Sequence, residues 1–139
     1  MTEIIKRHEK FEPKAYKCSA GKWTIGYGST YWEDGTPVKS GDTITEQKAE
    51  ALMNDYLIRF VRPHVAELNL KPRQQAAVES LVYNIGWNAF SKSKCYAAIK
   101  AKDWATVFAN WDWIRSNGKV LNGLVKRRAE EKYLFFSEI

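Results

Sequence analysis

Residues 8–30 read HEKFEPKAYKCSAGKWTIGYGST, and the reading of this stretch decides the fold. Tyr16, Trp23, Ile25 and Tyr27 are strand formers, and Gly21, Gly26 and Gly28 punctuate them, so a short hairpin is expected over 14–30. Just upstream, TEIIKRHEK at 2–10 places Ile4, Ile5 and His8 on one helical face, with Thr2 as the N-cap. Pro13 blocks continuation of that helix. Glu9 therefore falls near a helix C-terminus, where an anion is mildly unfavourable. A carboxyl at a helix end facing a hairpin can serve as a general acid. The thiol of Cys18 can act as nucleophile, base or water anchor once partly ionised, and Lys14, Lys17 and Lys22 are close in sequence to favour that. The hydroxyl of Thr24 can hold a water. On residue types alone, a surface Glu, a core Cys and a strand Thr explain the same three positions.

Outward from the hairpin, WEDGTPVKSGD at 32–42 reads as turns. From Thr45 the apolar period changes. Ala49, Leu52, Met53, Tyr56, Leu57, Phe60 and Val61 recur at three- and four-residue steps, which predicts one helix stripe with Thr45 as N-cap. Pro63 ends or kinks it. Pro72 suits the first position of the next helix, and Gly86 suits its end. Short helices are expected at WNAF, near Ser93 and near Asp103. SNGK breaks the chain, and GLVKRRAEEKYLFF forms a final amphipathic helix. A hairpin followed by helices predicts an α+β fold with the helices segregated from the sheet.

The 139 residues suffice for one domain without staples, and 45% hydrophobic with 27% charged residues is an ordinary globular balance. Six Trp point to core packing or to a cleft that grips flat rings. A net charge of +6 steers the chain towards polyanions without choosing among nucleic acid, membrane and cell wall. The basic residues are spread out, with one dense run at 126–128. Two cysteines, Cys18 and Cys95, make neither a disulfide framework nor a zinc site, and His8 and His64 have no partner spacing for a metal. The N-terminus lacks an apolar signal core, and no run reaches transmembrane length, so synthesis in the cytoplasm is expected.

The wider string AYKCSAGKWTIGYGST, with eight residues between Glu9 and Cys18 and five between Cys18 and Thr24, resembles the signature of the phage-type lysozymes, the endolysin muramidases. AAVESLVYNIGWNAFSKSK at 76–94 and GLVKRRAEEKYLF at 123–135 resemble the family's later blocks in the family's order. Lys10, Glu12 and Ser29 depart from its usual Gly, Arg and His.

The resemblance implies a lysozyme-like α+β fold: one catalytic domain over 1–139, with lobes over about 1–60 and 61–139 and a cleft between them. It implies hydrolysis of the β-1,4 link between N-acetylmuramic acid and N-acetylglucosamine in peptidoglycan, leading to lysis of a bacterial host. Glu9 would be the general acid, with Cys18 and Thr24 as base or water-positioning groups. Cys18 as covalent nucleophile or passive replacement, a lytic transglycosylase, and a catalytically weak wall-binding module are the other readings. Thr30, Tyr83, Ser93 and Asn110 would line the sugar site. Arg127 or Arg128 would pair with Glu9 or the anionic wall, or else lie on a solvated helix face. The expected partner is peptidoglycan, reached from the cytoplasm through a holin-type pore. A monomer is expected, with no cofactor, metal, nucleic acid or membrane insertion.

Overall fold

A computed structural model describes residues 2–139. It is mostly helical, with a small two-stranded antiparallel sheet near the N-terminus. The chain divides into two compact units, Thr2–Arg59 and Phe60–Ile139.

The first unit opens with α1 (Glu3–Glu9), whose Ile4 and Ile5 are buried. Thr2 stands at the N-cap position, but its side chain makes no capping bond. β1 (Glu12–Lys17) and β2 (Trp23–Gly26) form the hairpin. Tyr16 pairs with Thr24 and Lys17 with Trp23, and the register then slips between Tyr16 and Glu12. Pro13 therefore lies inside the strand, not merely ahead of it. It has no N–H to donate, and the bulge lets that part of β1 turn to another partner. The Pro13 carbonyl accepts from Ile44 N at 2.9 Å, and Ala15 N donates to the Asp42 carbonyl at 3.0 Å. On its other side β2 is met by its own return, with Ile25 and Ser29 exchanging both backbone bonds at 2.9 Å.

The turn-rich 32–42 segment is pinned by Asp42, whose carboxylate accepts from Trp32 Nε1 at 3.2 Å and Lys39 N at 2.9 Å. Next comes α2 (Glu46–Tyr56), capped by Thr45, whose hydroxyl accepts from Lys48 N. Ala49, Leu52 and Met53 form its buried stripe. Gly26 is required by this packing: a Cβ there would lie 2.9 Å from the Ala49 Cβ, and its φ is +65°.

A π-helical turn, Leu57–Val61, follows and runs into α3 (Arg62–Ala66). Pro63 is the physical reason. Proline cannot donate to the carbonyl four residues back and its ring collides with it, so the preceding turn widens. The extra residue per turn also breaks the expected stripe. Leu57 and Val61 are buried, whereas Tyr56 and Phe60 are exposed.

The second unit is built around α4 (Pro72–Ile85) and α8 (Asn122–Phe136), which pack on each other. Between them come α5 (Trp87–Ser91), α6 (Lys94–Ala101) and α7 (Trp104–Ala109). Gln74 Oε1 accepts from Lys71 N at 3.1 Å at the start of α4, and Gly86 ends it at φ +88°. Ser93 and Asp103 cap α6 and α7. Where SNGK was expected only to break the chain, Arg115–Ser116 (β3) and Lys119–Val120 (β4) pair as a hairpin. Asn117 and Gly118, at φ +53° and +77°, make its tight turn.

The inward face of α8 overturns the solvated-face reading of Arg127 and Arg128. Both are buried, together with Glu131 and Phe135. Glu131 accepts from Ser80 Oγ at 2.6 Å, Trp111 Nε1 at 3.2 Å, Arg127 Nε at 3.3 Å and Arg128 Nη2 at 3.0 Å. Arg127 Nη2 donates to the Ser80 carbonyl, and Arg128 Nη1 to Asn84. The aromatic rings of Trp104 and Trp111 flank Phe135 beside this network. Charged groups can sit in a core only when each is bonded in this way.

Candidate active site

Glu9, Cys18 and Thr24 all belong to the first unit, where the hairpin gathers them. Tyr16 and Thr24 are direct cross-strand partners, so their side chains share a face. Cys18, two residues past Tyr16, returns to that face. The turn after β1 closes tightly, with Cys18 N donating to the Lys22 carbonyl and Gly21 N to the Cys18 carbonyl, both at 2.9 Å. Thr24 is buried, and its hydroxyl lies 3.0 Å from the Lys22 carbonyl and within hydrogen-bonding reach of the Cys18 thiol. The hydroxyl has one proton, so it serves either the carbonyl or the sulfur at any instant.

Cys18 is half-buried. Burial pushes its thiol up. The backbone N–H of Lys22, the Thr24 hydroxyl and the N–H groups of Ala20 and Cys18 outweigh that, and the thiol ends below the usual cysteine value. The thiolate share at neutral pH is raised accordingly, which is what a base or water anchor needs. Cys95 is the opposite case. It is fully buried, and burial, reinforced by the negative charge of Asp112, pushes its thiol up to about 12. Both cysteines are free.

Glu9 is the last residue of α1 and is half-buried. Its carboxyl rests against the bare Cα of Gly28: a Cβ added there would run into Oε1 and lie 2.7 Å from Cδ. Tyr16 reports that the groups share one neighbourhood. Burial raises its phenol above the usual value, and the negative charges of Glu9, Glu12 and Cys18 raise it further. Sequence reasoning gave neither Gly28 nor Tyr16 a role. The signal for Tyr16 was present, since it alternates with Cys18 along one strand and faces Thr24 across the hairpin. No sequence signal placed Glu9 on Gly28.

Thr30, also in the first unit, is half-buried just beyond β2, and its carbonyl accepts from Val38 N at 3.0 Å. Tyr83, Ser93 and Asn110 fall in the second unit, on three different elements. Tyr83 is half-buried on α4. Ser93 is committed locally: it accepts from Tyr96 N at 3.1 Å and donates to the Phe90 carbonyl at 2.6 Å. It also borders a hollow of about 550 Å³ shared with Lys92, Tyr96 and Lys100. Asn110 ends α7, and its amide donates to the Thr106 carbonyl at 2.9 Å. Among the described residues no cluster of His, Cys, Asp and Glu could hold a metal ion. No helix there is long and apolar enough to cross a membrane.

Comparison with known proteins identifies relatives of the whole chain. The family model for phage lysozyme matches residues 6–131. An endolysin of Acyrthosiphon pisum secondary endosymbiont phage 1 is 37% identical over 96% of this chain and 93% of its own length. Among solved structures, the endolysin from Escherichia coli O157:H7 phage FAHEc1 superposes with a TM-score of 0.80 at 30% identity, covering 99% of this chain and 90% of that one. The muramidase domain of SpmX from Asticaccaulis excentricus gives 0.76 at 30% identity, covering 96% and 92%. With the family model spanning residues 6–131 and an endolysin 37% identical over 96% of this chain and 93% of its own length, the chain belongs to the phage lysozyme family.

Proposed function

We propose that this chain hydrolyses the β-1,4 bond between N-acetylmuramic acid and N-acetylglucosamine in peptidoglycan, with Glu9 as the proton donor. The observation that supports this most directly is the Glu9 carboxyl lodged on Gly28, just past a hairpin that carries Cys18 and Thr24 within reach of each other. Family membership supplies the coarser statement, a lysozyme-type glycosidase acting on peptidoglycan.

In this reading Glu9 gives its proton to the glycosidic oxygen as the bond to the anomeric carbon breaks. An oxocarbenium-like centre develops, and water attacks from the opposite face. The Thr24 hydroxyl holds that water. The Cys18 sulfur, as thiolate, takes the proton the water loses. The anomeric configuration inverts. A neutral thiol is a poor base, so the rank of importance is Glu9, then Thr24, then Cys18. Thr30, Tyr83, Ser93 and Asn110 contact the sugars. The biological role is lysis of a bacterial host by a monomeric endolysin, made in the cytoplasm and released through a holin-type pore.

The test is digestion of purified peptidoglycan with identification of the new ends by mass spectrometry. Reducing N-acetylmuramic ends that vanish with Glu9→Gln are the expected result. Anhydro ends would make the protein a transglycosylase. Wall binding with no release on several wall types would make it a binding module.

A further inference from the structure

Gly28 lies between two bonding partners of the hairpin return and carries no side chain, yet the Glu9 carboxyl is pressed onto it. An ideal Cβ at Gly28 would collide with Glu9 Oε1 and sit 2.7 Å from Cδ and 3.4 Å from Cγ. Those three atoms are the nearest it would meet, so the space a side chain would need is filled by the Glu9 side chain. The φ of +82° turns that face of the backbone towards α1 in a conformation glycine adopts readily. Gly21, Gly35, Gly41, Gly86 and Gly118 also have positive φ, but a Cβ on any of them would meet nothing within 4 Å. The demand for glycine at those positions is conformational. At Gly28 the space is also occupied, and the occupant that would have to move is the carboxyl assigned the proton transfer.

We propose that Gly28 is a positioning residue for the acid. Its bare Cα is the seat on which the Glu9 carboxyl is held at the height and angle from which it donates. The inference rests on the assignment of Glu9 as proton donor. The carboxyl carries rotatable bonds that a helix end does not fix, and a misplacement of about 1 Å in a catalytic group costs up to about a hundredfold in rate. A methyl at position 28 pushes the carboxyl off its seat without altering its chemistry. Its effect should therefore appear in kcat and leave KM nearly unchanged, because the sugar contacts are made by other residues.

The experiment compares Gly28→Ala with Gly35→Ala in the full chain. Gly35 has φ +87° and open space, so its alanine variant measures the backbone cost alone. The expected result is a fall in kcat of about tenfold or more for Gly28→Ala, with KM within about twofold, and no such fall for Gly35→Ala. The ¹³C carboxyl resonance of Glu9 should move in the first variant and stay in the second. An unmoved Glu9 resonance in Gly28→Ala, or a moved one with kcat within about twofold of the parent, would overturn the proposal.

A stability cycle with Glu9→Ala covers poor folding. Once the Glu9 side chain is truncated, Gly28→Ala should cost no more than Gly35→Ala, and a larger cost in that background would show that something other than Glu9 fills the space and overturn the seat. The resonance and the cycle need no activity. A parent chain that releases no muramic ends would therefore sink the functional reading, while these two readouts still decide whether Gly28 seats the carboxyl.

Discussion

Arg128 Nε and Glu131 Oε1 lie 2.7 Å apart, three residues apart on α8, in side chains at most 2% exposed. Arg127 closes on the same carboxylate from the preceding position, and Ser80 and Trp111 donate to it from α4 and from beyond α7. Two buried guanidiniums thus converge on the Glu131 carboxylate. Glu131→Gln keeps the shape and removes the charge. It should cost about 3–5 kcal/mol, the usual penalty for breaking a buried pair from one side. Urea unfolding would measure this, and a loss below about 1 kcal/mol would mean that the guanidiniums find other partners.

The two thiols should behave as different reagents. With its thiol held below the usual value and half exposed, Cys18 should take up iodoacetamide in the native protein at neutral pH, with a rate inflection below that of free cysteine. Cys95, fully buried, should stay unlabelled until the chain unfolds. Intact-mass analysis checks both statements. Two labels on the native protein, or one that survives Cys18→Ser, would contradict them.

Alkaline stability follows from Cys95. Its folded thiol is raised to about 12, whereas in the unfolded chain it titrates near ~8.5. The folded state therefore holds a proton that the unfolded state gives up. Stability is intact below the unfolded value and is lost progressively as pH rises towards about 12. For Cys18 the sign is reversed: its depressed value stabilises above the unfolded value and is lost as pH falls, and its exposure keeps that contribution small. The fall in Tm between pH ~8.5 and pH ~11 should be shallower in Cys95→Ala than in the parent. Identical slopes would show that other groups control the alkaline limit.

Ser93 separates a cap from a sugar contact. Its hydroxyl already makes two bonds within its own turn. Ser93→Ala should lose about 1 kcal/mol of stability, as N-cap removal does. Ser93→Asp retains an acceptor for Tyr96 N and should recover most of it. If activity per folded molecule falls in both variants, Ser93 also touches substrate. If it holds in both, capping is its whole role.

Thr24→Val keeps the β-branch and removes the hydroxyl. It should lower kcat by about tenfold to a hundredfold, less than Glu9→Gln and more than Cys18→Ser. The order of the three variants is the critical outcome. Cys18→Ser falling as far as Glu9→Gln, with the fold intact, would move the thiol from water anchor to indispensable base or nucleophile.

The helices were legible wherever a cap and a period agreed, as at Thr45, Pro72 with Gly86, Ser93 and Asp103. The hairpin was legible from its aromatics and glycines. Two features were not. In α8 the spacing of Arg127, Arg128, Glu131 and Phe135 is that of a buried stripe, but residue type argued for solvent. The acceptors that make burial tolerable lie on distant segments that a local reading cannot see. The π turn before Pro63 came from a conflict between ring and carbonyl, which a sequence shows only as a kink of unknown form. In the candidate site, residue types alone read Glu9, Cys18 and Thr24 as a surface Glu, a core Cys and a strand Thr, and the family resemblance is what made them candidates. The fit of Glu9 onto Gly28 depends on how closely α1 and the hairpin approach, and only the folded chain supplies that.

The small sheet has one more consequence. A two-stranded ribbon normally leaves two open flanks, each a template on which a second molecule can add a strand. Here the bulged part of β1 is occupied by 42–44, and β2 is occupied by its own return at Ser29. Both flanks are met by the chain itself. Crowding the protein to high concentration should therefore not recruit this hairpin into intermolecular β-structure.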